Sequence, residues 1–344
     1  MKRIVFILNV PAFYKINLLK RLSEYYDITA IILGATQQVV SSDAFSDCGF
    51  KTIILSRDDM DVKWKGMIRT FKLWNLLRKL RYDYLVYSGW DNIDLVANCF
   101  LSKRAKNCVI SESSIFESET TGLKAFIKKV ILRRFHAVLA SGRPHEDLLK
   151  SLGYNGRIYI TGSVGINTPL PCPQREKAGD IIKYIYIGRL IELKNIRFLI
   201  EVFNELGKPL TIVGDGPLKA ELQEIAGPNI DFAGFASRKA IGQLLSQHEC
   251  LVLPSLKETW GLVVEEALQC GIPVIASDRV GSSVDMICAY DSGLVFNPDS
   301  KPALIEAVGM MEEKYDYYRN NAMNIDFPQR EKNYIEAFKS VFDK

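Results

Sequence analysis

Residues 183–214 read KYIYIGRLIELKNIRFLIEVFNELGKPLTIVG, and they indicate the fold class more clearly than the rest of the chain. The two ends of this stretch, KYIYIG and PLTIVG, are short runs rich in β-branched and aromatic residues that finish on a glycine. Between them, NIRFLIEVFNEL (195–206) places apolar residues at helical spacing. Two short apolar strands joined through a helix form a βαβ unit, and such strands lie parallel in a sheet that is covered on both faces.

The same alternation continues on both sides of this stretch. Towards the carboxyl terminus it recurs at IDFAG (230–234), CLVLP (250–254), PVIAS (273–277) and GLVF (293–296). Towards the amino terminus it recurs at IVFIL (4–8), ITAIIL (28–33), KTIIL (51–55), YLVY (84–87), NCVI (107–110), AVLA (137–140) and RIYI (157–160). A stretch rich in glycine and proline separates the two series. We therefore predict an α/β protein with two Rossmann-like domains, 1–163 and 183–327, a linker at 164–182 and a final helix at 328–344.

Composition agrees with two soluble domains. The 344 residues are 48% hydrophobic and 24% charged. No run approaches the roughly 18 apolar residues of a membrane-spanning helix, and MKRIVFILNV at the start fits a buried strand better than a signal peptide. The seven cysteines form no close pair, which predicts reduced thiols, and the three histidines have no metal-ligand spacing. We expect a cytoplasmic, metal-free protein.

Charge is divided unevenly along the chain. Residues 1–165 carry a net charge of +10 and residues 166–344 a net charge of −6. In the basic half, 63–81 and 124–135 combine apolar residues at helical spacing with clustered lysine and arginine. We expect the apolar side chains to pack on the sheet. We expect the cations, including Lys63, Lys65, Arg69 and Lys72, to contact the anionic inner face of the cytoplasmic membrane. A solvated basic surface is the alternative, and nothing indicates a nucleic-acid partner.

Candidate site residues cluster where strands of the second domain end. Arg189 and Lys194 follow the strand KYIYIG, and an arginine and a lysine at the carboxyl end of a parallel strand can neutralise a diphosphate. PSLKETWGLVVEEALQCGIPVIASD (254–278) places Glu258 before a helix and Glu266 inside it. Gly261 opens that helix, where exposed N–H groups favour an anion.

These residues resemble the retaining GT-B glycosyltransferases of the glycosyl transferases group 1 family, which have an E-x7-E motif and include bacterial surface-polysaccharide sugar transferases. Four segments carry the resemblance in order: GRLIELKN (188–195), LTIVGDGPLKAELQ (210–223), ETWGLVVEE (258–266) and GIPVIASD (271–278). The resemblance implies two parallel sheets facing a central cleft and a final helix that crosses back to the first domain.

The resemblance also implies roles for single residues. Arg189 and Lys194 would grip the donor diphosphate, Glu258 would hold the transferred sugar and Glu266 the ribose. A loop through Gly214, Gly216 and Pro217 would shape the donor side, and Gly234 with Phe235 would lie near the base. Thr259, Trp260, Gly261 and Leu262 complete the predicted donor site.

The amino-terminal half matches less specifically, because it lacks the histidine that many relatives carry near the sugar. Asp91 and Glu112 follow strands there and are our candidates for the cleft, with a turn or capping role as the alternative for each. The D-x-D at Asp59 and Asp61 lies in a charged loop without the context of a metal-dependent glycosyltransferase, and we interpret it as coincidence.

The function we expect is retaining, metal-independent transfer of a sugar from a nucleotide donor to a glycan or lipid-linked hydroxyl in the synthesis of lipopolysaccharide, O-antigen or capsule. UDP is the expected nucleotide in preference to GDP, and no cofactor is expected. The leaving phosphate oxygen would take the acceptor proton, whereas double displacement through Asp91 or Glu112 is less favoured. A sugar-nucleotide epimerase of the same fold and a non-catalytic sugar-nucleotide-binding subunit are the alternatives.

Overall fold

The chain forms two compact units in a computed structural model, which describes residues 1–34, 48–56, 65–90, 92–172 and 181–343. Unit 1 comprises residues 1–168 and 328–344, and unit 2 comprises residues 169–327. Each unit has a sheet of parallel strands with helices around it, which confirms the predicted α/β class.

Unit 1 contains a seven-stranded sheet in the order β3-β2-β1-β4-β5-β6-β7. Its strands are β1 (Arg3–Leu8), β2 (Asp27–Ile32), β3 (Lys51–Ile54), β4 (Tyr84–Tyr87), β5 (Asn107–Ser111), β6 (Ala137–Ala140) and β7 (Arg157–Ile160). Its helices are α1 (Phe13–Ser23), α2 (Lys65–Lys79), α3 (Ile93–Leu101), α4 (Gly122–Leu132) and α5 (Arg143–Ser151). Because β1 pairs in parallel with both β2 and β4, the winding direction changes there and the strand carboxyl ends share one edge.

The two faces of this sheet bury separate cores. One is covered by α1 and by the helix near the carboxyl terminus, Phe327–Phe342, which buries Phe338 and Phe342 against Phe6 of β1. The predicted return of this last helix to the first domain is confirmed. The other face is covered by α2 to α5.

Arg69 corrects part of the membrane expectation. It lies on α2 with only 6% of its side chain exposed, and its Nε donates to Oδ2 of Asp94 at 3.0 Å. Asp94 is in the first turn of α3, so this buried ion pair joins two neighbouring helices. A guanidinium held in this way cannot also meet a lipid head group. Lys63 and the side chain of Lys65 lie outside the described part of the chain.

Unit 2 contains a six-stranded sheet in the order β10-β9-β8-β11-β12-β13. Its strands are β8 (Tyr184–Ile187), β9 (Leu210–Val213), β10 (Ile230–Gly234), β11 (Cys250–Leu253), β12 (Val274–Ser277) and β13 (Gly293–Phe296). Its helices are α6 (Ile196–Leu206), α7 (Lys219–Ile225), α8 (Arg238–Leu245), α9 (Leu262–Gln269), α10 (Lys301–Glu313) and α11 (Tyr315–Met323), and the last helix of the chain, Phe327–Phe342, is α12. Strands β8 and β11 flank the change in winding direction, where ligands bind in sheets of this kind.

The cysteines differ from the expectation of seven reduced thiols. Cys172 and Cys270, 98 residues apart, are joined by a disulfide in unit 2, because folding brings their Cα atoms to 5.8 Å. The other five form no disulfide, and among them Cys288 is exposed. Within the described residues, no helix is long and apolar enough to span a membrane.

Candidate functional site

Three loops at the carboxyl edge of the second sheet are joined by backbone hydrogen bonds. The Gly188 N–H donates to the Val213 carbonyl at 3.0 Å, and the Gly214 N–H donates to the Gly234 carbonyl at 2.8 Å. A Cβ at Gly214 would lie 1.8 Å from the Gly188 carbonyl oxygen, so only glycine permits this approach. The predicted donor-side glycines are therefore placed against the strand end that precedes Arg189.

Lys194 and Glu258 meet beside these loops. Lys194 ends a 3-10 helix, Glu192–Lys194, and its Nζ forms an ion pair with Oε2 of Glu258. The Leu256 N–H donates to the Leu193 carbonyl at 2.9 Å, which fixes the loop of Glu258 against the lysine. Both side chains remain partly accessible, at 12% and 17%, so a ligand can reach the pair.

Arg189 is exposed just after β8, and its carbonyl accepts a hydrogen bond from the Tyr186 hydroxyl at 3.1 Å. Burial raises the pKa of Tyr186, and the negative charge of Glu258 raises it further. Tyr186 therefore supports the loop as a neutral hydroxyl donor. The guanidinium of Arg189 is left on the accessible side of the strand end.

The Glu258 loop is held in turn by residues 279–282. The Glu258 N–H donates to the Arg279 carbonyl, the Gly281 N–H to the Glu258 carbonyl and the Ser282 N–H to the Trp260 carbonyl, at 3.3, 3.0 and 3.0 Å. These bonds fix the backbone on both sides of Thr259, so the direction in which Glu258 points is set by its neighbours.

Trp260 does not take the predicted donor-binding place. Its side chain is 1% exposed, and its indole N–H donates to Oε1 of the buried Glu265 at 2.7 Å. The ring is core, and the polar N–H requires a buried acceptor. Glu265, the residue next to Glu266 in the sequence, supplies that acceptor and anchors the loop of Glu258 to α9.

The amino-terminal end of α9 completes this side of the site. Gly261 is its N-cap, with a φ of +89°, a conformation that side-chain-bearing residues rarely adopt. The first N–H groups of a helix have no partner inside the helix, and the helix dipole favours an anion there. Leu262 begins the helix, so both residues are placed for the predicted contact with phosphate.

Glu266 has a partner that the sequence did not reveal. Arg238, in the first turn of α8, donates from Nη1 to Oε1 of Glu266 at 2.6 Å. The two residues are 28 positions apart, and no spacing rule links them. On the same loop, Phe235 is 80% exposed directly after Gly234, whose φ is +72°. The exposed Phe235 ring therefore lies close in sequence to Arg238, the partner of Glu266.

The candidates of unit 1 are placed on the first sheet. Glu112 follows β5, and its Oε1 lies 2.8 Å from Nζ of the buried Lys15 of α1. Burial, with the nearby Glu112 charge, raises the pKa of Tyr14. Asp91, Asp59 and Asp61 lie outside the described residues. Across the described ranges, no group of three histidine, cysteine or acidic side chains is placed to hold a metal ion.

The arrangement in unit 2 can bind an anion and a polyol together. Two cations and a helix amino terminus lie at the strand ends, and the carboxylates of Glu258, whose side chain is 17% exposed, and Glu266, whose side chain is 10% exposed, can accept hydrogen bonds from hydroxyl groups. The Lys194 ammonium and the helix dipole can also stabilise negative charge that develops on a leaving diphosphate.

The sequence comparisons agree with this chemistry. Residues 173–325 match the family model of glycosyl transferases group 1. The D-rhamnosyltransferase WbpZ of Pseudomonas aeruginosa is 26% identical over 242 residues, which is 65% of this chain and 62% of that protein. Several other curated relatives match over a shorter stretch, and the chain spans only 23 to 34% of their length.

Solved structures share the fold along nearly the whole chain. The lipopolysaccharide outer core galactosyltransferase WaaB superposes with a TM-score of 0.70 at 17% identity, covering 98% of this chain and 99% of that one. Anabaena Alr3699/HepE, solved in complex with UDP and glucose, superposes with a TM-score of 0.70 at 16% identity, covering 99% and 100%. Residues 173–325 are therefore similar to the glycosyl transferases group 1 family, and the chain as a whole has the fold of the GT-B glycosyltransferases.

Proposed function

We propose that this protein is a retaining glycosyltransferase that moves a sugar from a nucleoside diphosphate donor to a hydroxyl of a glycan or lipid-linked acceptor. The observation that carries the proposal is the Lys194–Glu258 pair, held beside the glycine loops and the start of α9. In it, a cation for the diphosphate is adjacent to a carboxylate for sugar hydroxyls.

The donor would bind along the carboxyl edge of the second sheet. Arg189, Lys194 and the first N–H groups of α9 would hold the diphosphate, and Glu258 the sugar. Glu266 would hold the ribose, with Phe235 near the base. UDP is the proposed nucleotide, supported by the UDP complex of a protein with the same fold.

Transfer would proceed with retention of configuration. The bond between the anomeric carbon and the diphosphate oxygen breaks, the acceptor oxygen bonds to the same face, and its proton passes to the leaving phosphate oxygen. Glu112 is ion-paired with Lys15, which makes its carboxylate a poorer nucleophile for the double-displacement alternative. The cationic and helix N–H groups would take the place of a metal ion.

The biological setting that we propose is the synthesis of a cell-surface polysaccharide at the cytoplasmic face of a membrane. It is supported by the similarity to a rhamnosyltransferase and by the shared fold of a lipopolysaccharide galactosyltransferase. A lipid-linked acceptor would place the enzyme peripherally on an anionic inner leaflet, in contact through the helices within 63–81 and 124–135.

Product analysis with and without acceptor tests the proposal. A transferase releases nucleotide in step with glycosylated acceptor, whereas an epimerase releases nucleotide and rearranged sugar with no acceptor present. A binding subunit releases neither. Screening UDP, GDP and ADP sugars for thermal stabilisation identifies the donor first, since a ligand that binds only the folded state raises the Tm. Acceptor-independent release of a rearranged sugar would overturn the proposal.

A further inference from the structure

Six large apolar side chains are exposed on two helices of unit 1. In α2 they are Met67, Ile68 and Phe71, and in α4 they are Leu123, Phe126 and Ile127, with exposures between 47% and 75%. The sequence pattern predicted that apolar residues of both segments pack on the sheet. Leu73 and Leu77 of α2 and Leu132 of α4 do pack there, but the six point away from it.

These six residues lie in the helical layer on one face of the first sheet, near the carboxyl ends of its strands. Helices α2 and α4 cover the same face of the first sheet. Each follows a strand of a parallel sheet, so each begins near the strand carboxyl ends and runs back. The six belong to the first two turns of their helices, and both groups therefore lie towards the same edge of the sheet. Both groups are therefore accessible from the same side of the sheet.

The charged residues within these two helices are all cations. Neither α2 nor α4 contains an aspartate or glutamate. Lys72 is exposed beside Phe71, and the partly exposed Lys128 and Lys129 follow Phe126 within the same helical turn. Lys124 is also exposed but is paired with Glu119 at 2.7 Å. Exposed apolar groups flanked by cations are suited to the boundary between acyl chains and anionic head groups.

We propose that α2 and α4 insert these six side chains into an anionic bilayer, with the neighbouring lysines on the head groups. The contact is thus an apolar insertion assisted by charge and not only an electrostatic adsorption. The proposal deepens the peripheral membrane location of the proposed function. Vesicle binding needs neither donor nor acceptor. Loss of vesicle binding and loss of sugar transfer can therefore be observed separately, so the two proposals can fail independently.

Vesicle co-sedimentation of the full chain tests it. Vesicles of phosphatidylcholine alone are compared with phosphatidylcholine mixed with phosphatidylglycerol, at low and high salt. We expect binding to the mixed vesicles, of which a part persists at high salt because apolar burial is not screened. The double variant Phe71→Ser with Phe126→Ser should bind roughly a hundredfold more weakly, since burial of one exposed ring changes affinity about tenfold.

Matched variants separate insertion from other effects. Ile181→Ser removes an apolar side chain that is 63% exposed in unit 2 and should leave vesicle binding unchanged. Lys72→Gln with Lys128→Gln and Lys129→Gln should remove the salt-sensitive part only. The indole introduced by Phe126→Trp should emit at shorter wavelength when the protein is bound to vesicles. Its fluorescence should be quenched by lipid with brominated chains.

Three results would overturn the proposal. One is absence of wild-type binding to the mixed vesicles at low salt, and another is equal binding by the double serine variant. The third is a concentration-dependent dimer in ultracentrifugation that the serine substitutions abolish while vesicle binding stays unaffected, because a second copy of the chain would then cover this face.

Discussion

The guanidinium of Arg238 donates a hydrogen bond from Nη1 to Oε1 of Glu266 at 2.6 Å, with 32% and 10% of the two side chains exposed. The family resemblance assigns the ribose to Glu266, so Arg238 orients the carboxylate that would receive the ribose hydroxyls. We expect Arg238 to be a positioning residue for that contact.

Arg238→Ala should therefore weaken binding of the nucleoside diphosphate roughly tenfold, as expected for loss of a charge-assisted hydrogen bond. Calorimetry should show that the wild type binds the 2′,3′-dideoxy nucleotide much more weakly than the ordinary nucleotide. The variant should bind the dideoxy nucleotide only slightly more weakly than the ordinary nucleotide. Arg238→Lys should retain part of the affinity that Arg238→Ala loses. Lys239→Ala removes the adjacent exposed cation and is the control. An unchanged penalty for the missing hydroxyls would show that Arg238 has no part in ribose recognition.

Glu258→Gln and Lys194→Met should each lower kcat by about 10² to 10³, because each removes a group acting on the reacting donor. The double variant should lose less than the two losses combined, since the residues contact each other. Glu192→Gln, an exposed glutamate in the same short helix, serves as the control. Circular dichroism and Tm establish that the variants fold. Near wild-type turnover in either folded variant would contradict the assigned site.

Gly214→Ala should lower the free energy of unfolding by about 3 kcal/mol or more, because its Cβ would collide with the Gly188 carbonyl and its φ of +145° disfavours alanine. Gly309→Ala is the matched control. It lies inside α10 with nothing within 4 Å of the added Cβ, so it should stabilise by about 0.5 to 1 kcal/mol. Urea unfolding measures both, and equal effects would contradict the close approach of the two loops.

Arg69→Gln should destabilise unit 1 by about 3 kcal/mol, because it leaves Asp94, which is 1% exposed, without its cation. Lys72→Gln, three residues further along α2, should change stability by less than about 0.5 kcal/mol. Chemical denaturation of the two variants distinguishes a buried ion pair from a surface charge. If Arg69→Gln left the free energy of unfolding unchanged, the ion pair would contribute little to stability.

EDTA should leave turnover unchanged if cations and helix N–H groups hold the diphosphate, as we propose. The assay is run with dialysed enzyme and repeated with added manganese. Inhibition by EDTA that manganese specifically reverses would restore Asp59 and Asp61 as metal ligands and would require a different account of donor binding.

The α/β class and the parallel sheets could be predicted from the sequence, because both depend on a local pattern of apolar strands of four to six residues alternating with amphipathic helices. The helical spacing of Phe338 and Phe342 predicted the last helix, whereas its return to the first domain was implied by the family resemblance. The sequence also placed Arg189, Lys194 and Glu258 at strand ends of one domain, because the carboxyl ends of parallel strands share an edge, and it placed Glu266 in the helix that follows Glu258.

Which side chains meet depends on the tertiary structure. Nothing local distinguishes Glu265 from Glu266, and both are buried, yet Glu265 accepts a hydrogen bond from the Trp260 indole and Glu266 pairs with the Arg238 guanidinium. Within α2, the same helical pattern does not tell that Arg69 is buried and Phe71 exposed. Helical spacing fixes which residues share a face, but the partner that covers a face is set by elements distant in sequence.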